Sequence, residues 1–82
     1  MHEKRRELFE RLQGVFRDVF DDEELEINET TNALDIFEWD SLMHITLVVE
    51  VEKEFGIQLN ASEIGKLENV GEMLDLLVEK TV

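Results

Sequence analysis

Apolar residues in the first twenty positions recur every three to four residues. Leu8, Leu12, Val15, Phe16, Val19 and Phe20 fall on one stripe when successive residues are set about 100° apart. That spacing predicts a helix from about Lys4 to Phe20, with Gly14 inside it at a cost of about 1 kcal/mol relative to Ala. The periodicity then lapses. From Asp21 to Trp39 the apolar residues Leu25, Ile27, Leu34, Ile36 and Phe37 keep neither a helical nor an alternating order. This stretch reads as an ordered loop laid over the core, and so long a connection in a small domain tends to carry function. Helical order returns at Ser41 and holds to Phe55, where Gly56 stands in the place of a left-handed C-cap. Ile57-Gln58-Leu59 reads as a short extended link. A brief third helix is predicted over Ala61–Leu67, opened by Asn60 and Glu63 at capping-box spacing. A fourth follows Asn69, with Glu72 at the matching spacing and Val70, Leu74, Leu77 and Val78 as its core stripe. No segment alternates convincingly as a strand does. The predicted fold class is all-α, with three longer helices, one short one and a long loop between the first two.

The second helix carries apolar residues on two sides. Leu47, Val48, Val51 and Phe55 form a stripe suited to a core, with His44 on the same side one turn nearer the N-terminus. Leu42, Ile45 and Val49 form a second strip on the opposite side, beginning beside Ser41 and flanked at its lower end by Glu52 and Lys53. A helix in a small bundle needs only one apolar face. The second strip predicts a docking surface; the alternative is cover from the 21–39 loop or the third helix.

Composition sharpens this picture. The 82 residues are expected to form one domain, 1–82. Leu, Ile, Val and Phe make up 29 of them, well above the roughly 20% below which a highly charged chain stays disordered, so folding is expected despite a net charge of −13. The charge is uneven. Residues 1–20 hold five Lys/Arg and four Asp/Glu, a net of +1; residues 21–82 hold three Lys and seventeen Asp/Glu, a net of −14. Such a body repels nucleic acid and anionic lipid and attracts basic protein surfaces, although acidity also serves plain solubility. There is no Cys, so thiol chemistry would have to come from a cofactor. No apolar run approaches the ~18 residues of a membrane span. The charged, amphipathic beginning does not read as a signal peptide, and the expected location is the cytoplasm.

The candidate chemistry centres on Asp40-Ser41-Leu42. A serine at the start of a helix is held out where free backbone N–H groups and the helix dipole favour an attached phosphate. This tripeptide, the apolar pattern behind it and the ending Glu52-Lys53-Glu54-Phe55-Gly56-Ile57 resemble acyl carrier proteins, as do the helix order, the long first loop and the acidic balance. The resemblance covers essentially the whole chain and is densest from about Leu34 to Leu77. It implies a four-helix bundle that is a carrier rather than an enzyme. In such proteins a phosphopantetheinyl transferase moves 4'-phosphopantetheine from coenzyme A onto the serine hydroxyl, and the arm's thiol holds an acyl group as a thioester. A thiol is a far better nucleophile near neutral pH than a hydroxyl, so the cofactor performs the covalent chemistry while the protein supplies presentation. The resemblance makes Ser41 the attachment residue, flanked by Asp40 and Leu42. It makes Leu42, Met43, Ile45, Val49 and Glu52 the face toward acyl-loading and acyl-processing enzymes, with the chain expected to act as a monomer. The pattern also differs from that of common fatty-acid carriers. Glu38 stands where a Gly is usual, Trp39 follows it, Met43 and Thr46 replace acids, and Lys53 replaces another. These differences resemble stand-alone carriers of specialised lipid, polyketide or surface-polymer pathways. An aminoacyl- or peptidyl-type carrier and an unmodified acidic adaptor are the alternatives.

Three other features have plain structural explanations. Trp39 is expected to pack over the top of the bundle rather than to stack on the arm. His44, one turn from Ser41, is expected at the edge of the core; a Ser–His catalytic pair lacks a legible third group or oxyanion site. The acidic runs Asp21–Glu24 and Asp35/Glu38/Asp40 lack the spacing of a calcium loop, so no dedicated metal site is expected. An acyl chain folding back between the second and third helices would meet Leu47, Val51, Ala61, Ile64 and Leu67, which equally well suit ordinary core packing.

Overall fold

The computed structural model describes residues 2–36 and 38–81. Four helices lie among them: α1 His2–Val19, α2 Ser41–Phe55, α3 Ala61–Gly65 and α4 Val70–Thr81, with no strand among the described residues. α1 packs against both α2 and α4. The core lies between them, with Leu8, Leu12 and Phe16 from α1, Leu47, Val48 and Val51 from α2, and Val70, Met73, Leu74 and Leu77 from α4. These are the predicted stripes, with Met73 added; Val19, Phe55 and Val78 lie at the margin, partly exposed.

The ends of the helices follow their capping residues. α1 has no glycine at its end; Asp21 takes the left-handed conformation there, φ 52°, while the Asp22 N–H returns to Arg17 O at 3.0 Å. An aspartate tolerates that geometry better than most residues. Gly56 ends α2 at φ 65°, as its place in the sequence predicts. α3 opens with the predicted capping box, in which Asn60 Oδ1 accepts from Glu63 N at 2.8 Å and Glu63 Oε1 accepts from Asn60 N at 3.0 Å. It stops at Gly65, two residues short of the predicted Leu67. There the N–H groups of Lys66 and Leu67 turn to the carbonyls three residues back, at 3.2 and 3.3 Å, which tightens the last turn out of the α-helix.

The long loop is ordered by side chains of α1 and by the start of α4. Gln13 Oε1 accepts from Ile27 N, and Arg17 Nε donates to Leu25 O at 2.7 Å. Arg5 forks onto Glu29 and reaches Asp75 of α4 at 2.9 Å. Val70 N and Gly71 N, two of the N–H groups a helix start leaves open, donate to Thr31 O and Glu29 O at 2.9 and 2.8 Å. Ile27, Ile36 and Trp39 are buried beneath this loop and Leu25 is half-buried. Leu34 departs from the expected cover. It is 94% exposed, because the Asn32 side chain accepts from Leu34 N and Asp35 Oδ2 accepts from Asn32 N, closing a tight turn that points Leu34 away. Phe37 lies outside the described residues.

Candidate functional site

Asp40 sets the start of α2. Its backbone is extended, φ −107° and ψ −172°, and its Oδ1 accepts from Met43 N at 2.8 Å. This is N-cap geometry, which satisfies one of the free N–H groups of the first turn. Ser41 follows as the first helical residue and is exposed. It sits on the rim of an open groove of about 480 Å³, whose lining includes Ala33, Trp39, His44, Ile45, Ile64 and Leu67. The groove runs between the start of α2 and α3, with the indole at one end.

Trp39 anchors that corner. It is 5% exposed and meets Phe16 edge-on with ring centroids 5.3 Å apart, while Phe20 lies 6.4 Å away. Its indole N–H donates to His44 Nδ1 at 3.1 Å. The other imidazole nitrogen, Nε2, lies 3.4 Å from Ile64 O on α3. Both ring nitrogens of His44 therefore face partners other than Ser41, which removes the Ser–His pair as a catalytic arrangement. Among the described residues no group of three or more His, Asp or Glu side chains is placed to hold a metal ion.

The outward strip of α2 is open. Leu42 is 74% exposed, Ile45 54% and Val49 41%, and Ile45 also lines the groove with Ile64 and Gly65 of α3. Met43 and Glu52 do not share this surface fully. Met43 is half-buried against the core, in a shallow groove with Val19, Phe20, Asp21, Glu38 and Asp40. Glu52 is half-buried, and its Oε2 accepts from Leu59 N at 2.7 Å, bracing the link that leads to α3. Sequence spacing placed Glu52 correctly at the strip's edge but carries no signal of that backbone partner seven residues on. Lys53 is exposed and lies 3.7 Å from Glu50. Of the residues named for an acyl pocket, Ile64 and Leu67 line the groove and Ala61 is exposed. Leu47 and Val51 are buried in the core, at 0% and 1% exposure.

A family profile for the phosphopantetheine attachment site matches residues 10–77 of this chain. The chain belongs to the acyl carrier protein family. It is 33% identical over 87 aligned positions to an acyl carrier protein homolog of Clostridium acetobutylicum, covering 99% of this chain and 84% of that one. It is 28% identical over 71 residues to acyl carrier protein 2 of a polyketide-8 synthase from Streptomyces avermitilis, covering 87% and 82%. Its fold matches the solution structure of a holo acyl carrier protein from Geobacter metallireducens with a TM-score of 0.82, at 40% identity, covering 88% of this chain and 83% of that one. Carriers of this family hold a covalent phosphopantetheine, work with phosphopantetheinyl transferases and acyl-processing enzymes, and are not themselves catalysts. The site fits that group. An exposed hydroxyl stands at a helix N-terminus, where backbone N–H groups favour a phosphate, and a groove of suitable size opens beside it. No described helix is long and apolar enough to cross a membrane.

Proposed function

We propose that Ser41 is the attachment residue, and that residues 1–82 form a single, monomeric carrier domain which presents acyl intermediates to partner enzymes in the cytoplasm. The observation that carries this is the position of Ser41: exposed, first in α2, and on the rim of the groove between α2 and α3. Asp40 supports it by fixing where α2 begins, and Leu42 by opening the apolar strip on the next residue. When bound, the arm supplies a thiol for thioester formation, which the chain itself lacks for want of cysteine.

Partner enzymes would meet α2 on Leu42, Ile45 and Val49, with Met43 at the margin and Glu52 at the lower edge. Basic docking surfaces suit the acidic body, since opposite charge speeds encounter more than it adds affinity. Against the pattern of common fatty-acid carriers, the recognition face beside Ser41 is less acidic. Met43, Thr46 and Lys53 stand on α2, and its first turn holds no acidic residue. That favours partners in a specialised lipid, polyketide or surface-polymer pathway over those of general fatty acid biosynthesis.

Thiol counting tests the attachment. Because the chain has no cysteine, a thiol reagent should find none in the purified apo chain. It should find one per chain after treatment with coenzyme A and a phosphopantetheinyl transferase, followed by removal of small molecules. Ser41→Ala should stay at none. A thiol gained by Ser41→Ala would move the attachment elsewhere. An adaptor that is never modified would gain none in either form.

A further inference from the structure

We propose that His44 is a positioning residue that fastens α3 over the groove beside Ser41 while its ring is neutral, and releases α3 when the ring is protonated. The geometry assigns the tautomer. An indole N–H only donates, so His44 Nδ1, 3.1 Å from Trp39 Nε1, must accept. The single proton of the neutral ring then sits on Nε2, which faces Ile64 O at 3.4 Å. One side chain of α2 thus joins the buried indole of the loop to the last turn of α3.

α3 is five residues long and buries none of them fully. Among the described residues its other ties are the half-buried Ile64 side chain, the buried Leu67 just beyond it, the 3.1 Å ion pair from Lys80 of α4 to Glu63, and the brace of Glu52 on Leu59 in the link before it. A second proton on His44 would sit on Nδ1 and point at the indole N–H, setting two donors 3.1 Å apart. Trp39 cannot easily yield, since Phe16 of α1 and Phe20 just beyond it pack against the indole. The imidazole is the freer partner, and when it turns it gives up Ile64 O.

Among the described residues, Asp40 at the start of α2 and Glu68 beyond α3 are the charged groups that share the groove with the ring. On α3 itself, Glu63 is engaged by Asn60 and Lys80; Lys66, just past its end, is exposed. The Asn60 N–H, and after it Lys80, hold the Glu63 carboxyl below its ordinary range. Glu63 therefore stays charged while a histidine changes charge, between about pH 5 and 8. Loosening of α3 in that interval has to come from His44 rather than from loss of the capping box.

Nitrogen-detected NMR of the full, unmodified chain tests this without requiring the arm on Ser41. At pH 8 the His44 ring should show the Nε2–H tautomer. On titration to pH 5, the amides of 60–67 and the Trp39 indole N–H should move with the His44 midpoint, while amides in the middle of α1 and α4 stay in place. The other histidine, His2, gives a reference titration in the same spectra. His44→Gln, which can accept from the indole and donate to Ile64 O without titrating in this range, should keep α3 closed and lose the acid response. An Nδ1–H tautomer at pH 8, helix-three amides that ignore the His44 midpoint, or an unchanged acid response in His44→Gln would each overturn the proposal.

Discussion

Gly71 shows how little room separates the loop from the start of α4. A Cβ added there would lie 2.9 Å from Glu29 O, a backbone atom, and 3.3 Å from Asn69 Oδ1. The Gly71 N–H donates to that same Glu29 carbonyl at 2.8 Å, so the two backbones cannot separate without breaking the bond. Helix propensity alone would favour Ala by up to about 1 kcal/mol. Overpacking against backbone costs about 1–3 kcal/mol and should win. Gly71→Ala is expected to lower stability by about 2 kcal/mol in urea unfolding, with an unchanged slope; an unchanged or higher midpoint would contradict this contact. At the same scale, Ser41 and Trp39 do opposite things from positions two apart in the chain. Asp40 lies between them and caps α2, which leaves the hydroxyl in solvent and the indole in the core.

α2 is the element in which sequence and geometry agree most closely, because its two apolar strips serve different purposes. The inner strip is buried and the outer one exposed, so Val49→Asp should leave far-UV circular dichroism unchanged and slow modification by a phosphopantetheinyl transferase several-fold. Loss of helical signal instead would place Val49 in the core. α3 depends on charge where α2 depends on packing. Its Glu63 carboxyl is held below its ordinary value of 4.5 by the Asn60 N–H and by Lys80. A carboxyl lowered on folding stabilises the fold above its unfolded value, and that contribution is lost as pH falls through the folded value. In His44→Gln, where no imidazole titrates at that position, the amides of Asn60 and Glu63 should therefore hold their positions down to about pH 4.5 and move only below it; movement beginning near neutrality in that variant would contradict this capping. Elements with strong periodicity or a capping signature were legible in the sequence: α1, both faces of α2, the Gly56 cap and the Asn60–Glu63 box. The end of α3 was not, because the bonds that stop it join backbone groups and leave no mark in residue type. Leu34 misled because a local turn between Asn32 and Asp35 outweighed its hydrophobicity. The tie between Glu52 and Leu59 and that between Trp39 and His44 join residues seven and five apart across element boundaries, where no periodicity applies.

Across the whole molecule, the arginines whose partners are described act as ties. Arg5 joins α1 to the loop and to α4. Arg11 reaches Glu54 at 3.1 Å and lies 4.5 Å from the Phe55 ring centre, closing the far end of α2 onto α1. Arg17 holds Leu25 O. With these cations used between elements, most of the remaining charge in the sequence is acidic. The proposed attachment at the hydroxyl of Ser41 is where the readings of fold, charge and the outer strip of α2 converge. Intact mass spectrometry after incubation with coenzyme A and a phosphopantetheinyl transferase, followed by peptide mapping, tests that convergence most directly. The mass should rise by one phosphopantetheine, located on the peptide that contains Ser41, and Ser41→Ala should show no rise. An unmodified wild-type chain under conditions that load another acyl carrier protein, or an arm mapped to a different residue, would contradict the account.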